Sequence, residues 1–199
     1  MASEPVLWVI ASGNPGKQLE IARILSATRI RVESLARFGE VRFPEEGLDY
    51  RENAIAKARA VASQVGEIAV GDDSGIEVDA LDGAPGPSSA RYGGEDLNDR
   101  ERLEKLLIAV DGVPEAKRTA RFVCYAALAT PAGDTVVAYG ECRGLILDAA
   151  RGEGGFGYDP IFQPNGYVES MAQIGAAVKD QISHRAVAFR DLYERWASA

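Results

Sequence analysis

The chain has 199 residues, 46% hydrophobic and 26% charged, the proportions of an ordinary globular protein long enough to bury a sizeable core. Its 22 basic and 30 acidic residues leave a formal charge of −8, which argues against sequence-independent nucleic-acid binding because that rests on a cationic surface. Two cysteines are too few for a disulfide framework or a zinc cluster.

The first predicted element is the strand "VLWVIA" (Val6 to Ala11), a short apolar run bounded by turn residues. It is too short for a signal peptide or a membrane span, so the expectation is a soluble, cytoplasmic protein. The loop "SGNPGK" follows. "QLEIARILSA" then spaces Ile21, Ile24, Leu25 and Thr28 as a helix, and "IRVES" alternates as a second strand. After a loop rich in Gly, Pro and Glu, residues 51–65 form a helix with Ile55, Ala58, Ala62 and Val65 on one face.

"EIAVG" runs as a strand into "GDDSGIEVDALDGAPG", where Asp72 and Asp73 are read at the strand's C-terminal end and at the mouth of a glycine-rich turn. Residues 98–110 give the clearest helix, with Leu103, Leu106, Leu107 and Val110 in register. Two long strands, "TARFVCYAALAT" and "TVVAYGECRGLIL", flank a short turn. Cys124 and Cys142 lie at similar distances from that turn and are expected as buried thiols. The glycine-dense loop "RGEGGFGYDP" precedes a last amphipathic helix carrying Phe189, Leu192, Tyr193 and Trp196. Alternating strands and helices followed by two hairpin strands predict an α/β protein: a mixed central sheet with flanking helices.

Five loop segments carry chemistry. Ser12 to Lys17 joins a strand to a helix, where free N–H groups favour an anion and Lys17 adds a full charge; an ordinary βα turn is the plain alternative. Lys57 lies on a charged helix face after "PEEG", whose Glu45 or Glu46 can approach a metal, although a solvated surface accounts for all three. Asp72 and Asp73 offer oxygen ligands to a hard cation such as Mg²⁺, with Ser74 beside them, or else they belong to a surface turn. In "GGFGYDP", Phe156 and Tyr158 can stack on a planar base and Asp159 can accept from a base N–H; a surface loop is the alternative. Ser183 is a natural N-cap, placing His184 and Arg185 in the first turn of the last helix. An arginine there suits bidentate recognition.

Taken together, "ASGNPGKQLEI", "EEGLDYRENAIAKA", "DDSGIEVDALDGAPGPSSARY", "GGFGYDPIF" and "ISHRAVAF" resemble, in order and spacing, the inosine triphosphate pyrophosphatase family, across about Leu7 to Phe189. The resemblance implies Mg²⁺-dependent hydrolysis of ITP, dITP and XTP to the monophosphate and pyrophosphate, which cleanses the nucleotide pool. It implies a homodimer whose fold, one domain over residues 1–199, has two lobes around a substrate cleft.

Carried over by position, Ser12, Gly13, Asn14, Pro15, Gly16 and Lys17 resemble the triphosphate loop, and Lys57 a further phosphate contact. Glu45 matches a metal ligand, with Asp72 a further candidate. Asp73 resembles the catalytic base that also touches the metal, with Ser74 next to the substrate. Phe156, Gly157, Tyr158, Asp159, Lys179, His184 and Arg185 resemble the base-binding set. Two departures are local: Pro87 and Ser88 stand where the family often has an aromatic residue, and "GAAV" before Lys179 lacks the usual acidic residues.

Overall fold

The computed structural model describes residues 5–199. Six strands form one sheet in the order β2-β1-β3-β4-β5-β6, where β1 is Val6–Ile10, β2 Ile30–Ser34, β3 Ala69–Val78, β4 Thr119–Ala129, β5 Thr135–Ile146 and β6 Phe162–Pro164. β1 pairs in parallel with both β2 and β3, from Val6 opposite Ile30 to Ile10 opposite Val70, while β5 and β6 are antiparallel. The sheet is therefore mixed, as expected. Five α-helices accompany it: α1 Pro15–Leu25, α2 Tyr50–Val65, α3 Asp99–Ala109, α4 Ala176–Ile182 and α5 His184–Ala197.

The chain divides into two compact units. The first holds the residues up to Asp73, Cys124–Gly140, and everything from Arg185 onward; the second holds Ser74–Val123 and Glu141–His184. In the first unit, strand alternation sorts the core into two layers. Trp8, Ile10, Val70, Cys124, Ala126 and Leu128 pack with Ile21, Ile24 and Leu25 of α1 and with Phe189 and Leu192 of α5. The intervening residues Val9, Ala11, Ala69, Ala127 and Ala129 pack instead with Ala54, Ala58, Val61 and Ala62 of α2. In the second unit, Leu103 and Leu106 of α3 meet Ile76, Val78, Phe122, Ile146, Ile161 and Phe162.

Local signals account for the helix ends. Asn14 caps α1 through Lys17 N–H, with Pro15 at its first position. Asp49 caps α2, which ends on Gly66 in the left-handed conformation. Asn98 and Glu101 close a capping box at α3.

Three expectations change. Asp72 and Asp73 lie inside the ten-residue strand β3, not at its end. Turn-forming composition gives way there because β3 is hydrogen-bonded to a neighbour on each edge, and partners from three helices compensate the charges. The last helix begins at His184 behind an extended Ser183, as expected, but a separate short helix, α4, precedes it. A short sixth strand after the glycine loop had no sequence signal. Both cysteines are free, buried thiols, as expected. Among the described residues no helix is long and apolar enough to cross a membrane.

Candidate active site

Because neighbouring strand residues face opposite sides of a sheet, Asp72 and Asp73 meet different helices. Asp72 points to the layer of α1 and α5. Its Oδ2 lies 3.1 Å from Lys17 Nζ and 3.0 Å from Arg185 Nη2, and it accepts weakly from Cys124 Sγ at 3.9 Å. Arg185 is 1% exposed and binds a second buried carboxylate, Glu20, at 2.5 Å. Asp72 Oδ1 is buried with no hydrogen-bond partner among the described residues.

Asp73 points to the layer of α2. Its Oδ2 accepts from Asn53 Nδ2 at 2.8 Å, and its Oδ1 lies 3.0 Å from Lys57 Nζ. Lys57 also binds Glu46 Oε1 at 2.5 Å and the Asp72 carbonyl at 3.4 Å. Gly71 sets this approach. A Cβ there would already touch Ala11 Cβ, Ala58 N and Lys57 Cβ at 3.4 Å, so a larger side chain would push α2 away.

Burial disfavours charge on both aspartates, but their partners split them. For Asp72 burial is outweighed by Arg185, Lys17 and Lys57, which hold its carboxyl well below the usual range. For Asp73 burial prevails over Lys57 and Asn53, so its carboxyl lies above the usual value. Lys57 is pulled down by burial, but Asp73, Glu46 and Asp72 outweigh this and raise it. Two adjacent carboxylates pushed in opposite directions are a recurrent signature of different tasks: one a fixed charge, the other able to exchange a proton.

The loop Ser12 to Lys17 enters α1 within the same unit. Ser12 Oγ accepts from Asn14 N–H, and the Ser12 carbonyl accepts from Gln18 Nε2 at 2.6 Å. Beyond its two chain neighbours, no atom of the described residues lies within 4 Å of a Cβ built on Gly13. The fold itself therefore does not require glycine there.

In the second unit, Asp159 is 3% exposed. Its Oδ2 accepts from Phe156 N–H at 2.9 Å and pairs with Lys179, whose ammonium lies 4.9 Å from the Phe156 ring centre. Gly155, at φ +72°, presses so closely on this carboxylate that a Cβ would collide with it. Gly157 N–H donates to Asp99 Oδ2 at 2.9 Å. His184 stacks on Phe122, 4.8 Å between centres and 11° between planes. Ser74 is the half-buried residue that follows Asp73 in β3.

The sequence-read set is thus brought together in two groups. Ser12 to Lys17, Lys57, Asp72, Asp73 and Arg185 belong to the first unit, and Phe156 to Asp159, Lys179 and His184 to the second. Several expectations shift. Tyr158 is a core residue whose hydroxyl donates to the Ser89 carbonyl at 2.8 Å, which leaves half-exposed Phe156 as the ring available for stacking. The Asp159 carboxylate, expected to face a base, is committed to its own loop and to Lys179. The Arg185 guanidinium, also expected at the base, lies between Glu20 and Asp72. Glu45 is exposed, and Glu46 is the loop carboxylate that reaches Lys57. Sequence reading missed Glu20 and Asn53. For Asn53 the one signal was an asparagine inside a helix; Glu20 stands in α1 as an ordinary charged residue until the structure shows it buried.

A model of the Ham1 family matches residues 8–195. A dITP/XTP pyrophosphatase of Frankia alni is 48% identical over 191 residues, spanning 92% of this chain and 94% of the relative. A dITP/XTP pyrophosphatase of Geobacillus kaustophilus is 46% identical over 94% of this chain and 93% of the relative. Among solved structures, a HAM1 protein from Coxiella burnetii superposes with a TM-score of 0.85 at 36% identity, covering 98% of this chain and all of that one. A nucleoside-triphosphatase, dITP/XTP pyrophosphatase, from Mycobacterium abscessus gives 0.73 at 38% identity over 96% and 98%.

Proposed function

This chain belongs to the Ham1 family, and from that premise we infer that it hydrolyses a phosphoanhydride bond of non-standard purine nucleoside triphosphates such as dITP, ITP and XTP. The products are the nucleoside monophosphate and pyrophosphate. The observation that carries the assignment of roles is the divergence of the two adjacent aspartates: Asp72 is fixed as an anion, while Asp73 is held nearer to protonation.

Asp73 is the general base in this reading. It takes the proton of the water that attacks the α-phosphorus, and a carboxyl raised toward working pH suits that task better than one locked in the charged form. Asp72 serves as a permanent charge that holds Lys17 at the start of α1. Lys17, the α1 N-terminal N–H groups and Lys57 receive the phosphates and the charge that develops on the leaving pyrophosphate. Taken by itself, the second unit offers half-exposed Phe156 as a stacking face for a purine and Lys179 as a cation for a 6-oxo acceptor. Adenine presents a donor at that position, so the Lys179 ammonium, already paired with Asp159, meets a second donor in place of an acceptor, which penalises the wrong substrate.

Magnesium fits the residues present. Among the described residues no group of three or more His, Cys, Asp or Glu side chains is gathered as a metal cage, but Mg²⁺ is ordinarily held by one or two carboxylates, with water and substrate phosphates completing its shell. Glu46 and Asp73 already converge on one cation, the Lys57 ammonium, and Asp72 Oδ1 is an unspent acceptor. Glu46 and Asp73 would hold the ion, with Asp72 and Glu45 at hand. When bound, Mg²⁺ supplies charge neutralisation at the phosphate oxygens. A homodimer in the cytoplasm completes the reading that the family resemblance supports.

The test is a panel of dITP, XTP, GTP and ATP, each with and without Mg²⁺, with both products identified. Pyrophosphate and monophosphate from dITP and XTP, with much slower turnover of ATP, are the expected result. Comparable rates on ATP, or release of inorganic phosphate, would overturn it.

Gly13 gives a second, independent check. Since the fold leaves open space around it, Gly13→Ala should alter unfolding free energy by no more than about 0.5 kcal/mol. A triphosphate that closes on the backbone there makes the same methyl group raise KM by about tenfold, with kcat less affected. Urea unfolding and steady-state kinetics on dITP read the two effects separately.

A further inference from the structure

The loop 42–48 carries Glu46 and has no helix or strand of its own. Two side chains of α2 hold it. At one end Gln64 accepts from Arg42 N–H at 3.0 Å and donates to the Arg42 carbonyl at 2.9 Å. At the other end Asn53 makes the same reciprocal pair with Gly47: Oδ1 accepts from Gly47 N–H at 2.8 Å, and Nδ2 donates to the Gly47 carbonyl at 3.0 Å. The two carboxamides differ in one respect. Gln64 is exposed and its remaining bond stays within α2, to the Ala60 carbonyl. Asn53 is 6% exposed, and its second N–H goes to Asp73 Oδ2 at 2.8 Å.

Nδ2 has only two hydrogens. One is given to the loop backbone and the other to the carboxylate, so the planar amide fixes both in one orientation. A mere loop anchor needs no such bond, and a mere partner for Asp73 needs no contact with Gly47. Lys57, one helical turn further along α2, repeats the pattern with charge, joining Glu46 to Asp73.

We propose that Asn53 is a positioning residue whose carboxamide sets the Glu46 loop and the Asp73 carboxylate as a single unit. The proposal rests on the reading of Asp73 as the general base. It deepens that reading by adding a residue that acts through Asp73. Removing the amide acts on both partners at once: the loop loses its tie at Gly47, and Asp73 loses one of its two side-chain hydrogen bonds, keeping that from Lys57.

Two variants and two readouts test it. Asn53→Ala deletes the clamp. Asn53→Asp keeps an acceptor for Gly47 N–H but turns an oxygen toward Asp73 and the Gly47 carbonyl, and it serves where the alanine variant does not fold. Partners that orient a catalytic carboxylate typically cost 10- to 100-fold when lost, so turnover of dITP with Mg²⁺ should fall by about that factor while KM stays within about twofold. Glutamyl endopeptidase should cut after Glu45 and Glu46 faster than in the parent protein.

The decisive arm places Asn53→Ala in an Asp73→Asn background, where a residue acting through Asp73 should add less than about a twofold further loss. Losses that multiply, unchanged turnover in the single variant, or unchanged cleavage of the loop would each overturn the proposal. A parent protein inactive on dITP would instead sink the proposed function, while loop cleavage would still decide the clamp. An Asp73→Asn protein with full turnover would sink both.

Discussion

Asp73→Asn should lower turnover of dITP on the order of 10²- to 10⁴-fold, the usual contribution of a positioned general base, while the protein folds normally and binds nucleotide. Asparagine matches aspartate in shape, and its amide oxygen keeps one of the contacts at 2.8 and 3.0 Å, while its NH2 group replaces the acceptor of the other. What disappears is the capacity to take a proton. The loss should therefore fall on kcat, with KM changed by no more than a few-fold. Asp72→Asn is the informative contrast. That substitution leaves Arg185, Lys17 and Glu20 with one negative charge fewer in a buried network, so its first consequence is structural. Rapid-quench kinetics with urea unfolding on both variants separates the cases. An Asp73→Asn protein within about tenfold of the parent turnover would remove Asp73 from the role of base.

The difference between these neighbours could not be read from "GDDSG". Composition there says turn, and the two aspartates look equivalent. Only the sheet distinguishes them, because the strand alternation that sends Val70 to one layer and Ala69 to the other carries on through Asp72 and Asp73. What local pattern does record was legible: the Ser183 cap before α5, the apolar periodicity of α1, α2, α3 and α5, and the long strands β4 and β5 are properties of short windows. The partners that set the site are not. Glu20 meets Arg185 across 165 positions, Arg185 meets Asp72 across 113, and Asn53 meets Asp73 across 20. Glu46 could not be told from Glu45 without knowing which side of the loop faces Lys57. The same limit applied to Tyr158: beside Phe156 in a glycine loop it reads as a second stacking ring, whereas its burial follows from the Ser89 carbonyl 69 positions away.

Arg185→Ala should destabilise the protein by about 3–5 kcal/mol, because it leaves buried carboxylates without their counter-charge. Arg185 is 1% exposed, and its guanidinium spends Nη1 on Glu20 and both Nη2 and Nε on Asp72, themselves 4% and 2% exposed. Burial alone lowers a guanidinium's hold on its proton, yet the two carboxylates outweigh this and raise it. The network is therefore a mutual dependence, and deleting the cation leaves two buried anions short of positive charge. Lys17 still compensates Asp72 at 3.1 Å. The pairing Glu20→Gln with Arg185→Met then becomes informative. Removing one anion together with the cation restores balance, so the double variant should be more stable than Arg185→Ala even though it has lost more polar contacts. Calorimetric unfolding measures this directly, and steady-state kinetics on the double variant measures a separate consequence. If Arg185 serves the base of the substrate, KM for dITP rises sharply once stability is restored. If its task is to hold Asp72, KM stays near the parent value as long as Lys17 keeps that carboxylate in place. The geometry of the three buried side chains favours the second result, and a stable Arg185→Ala protein with a KM defect alone would reverse it.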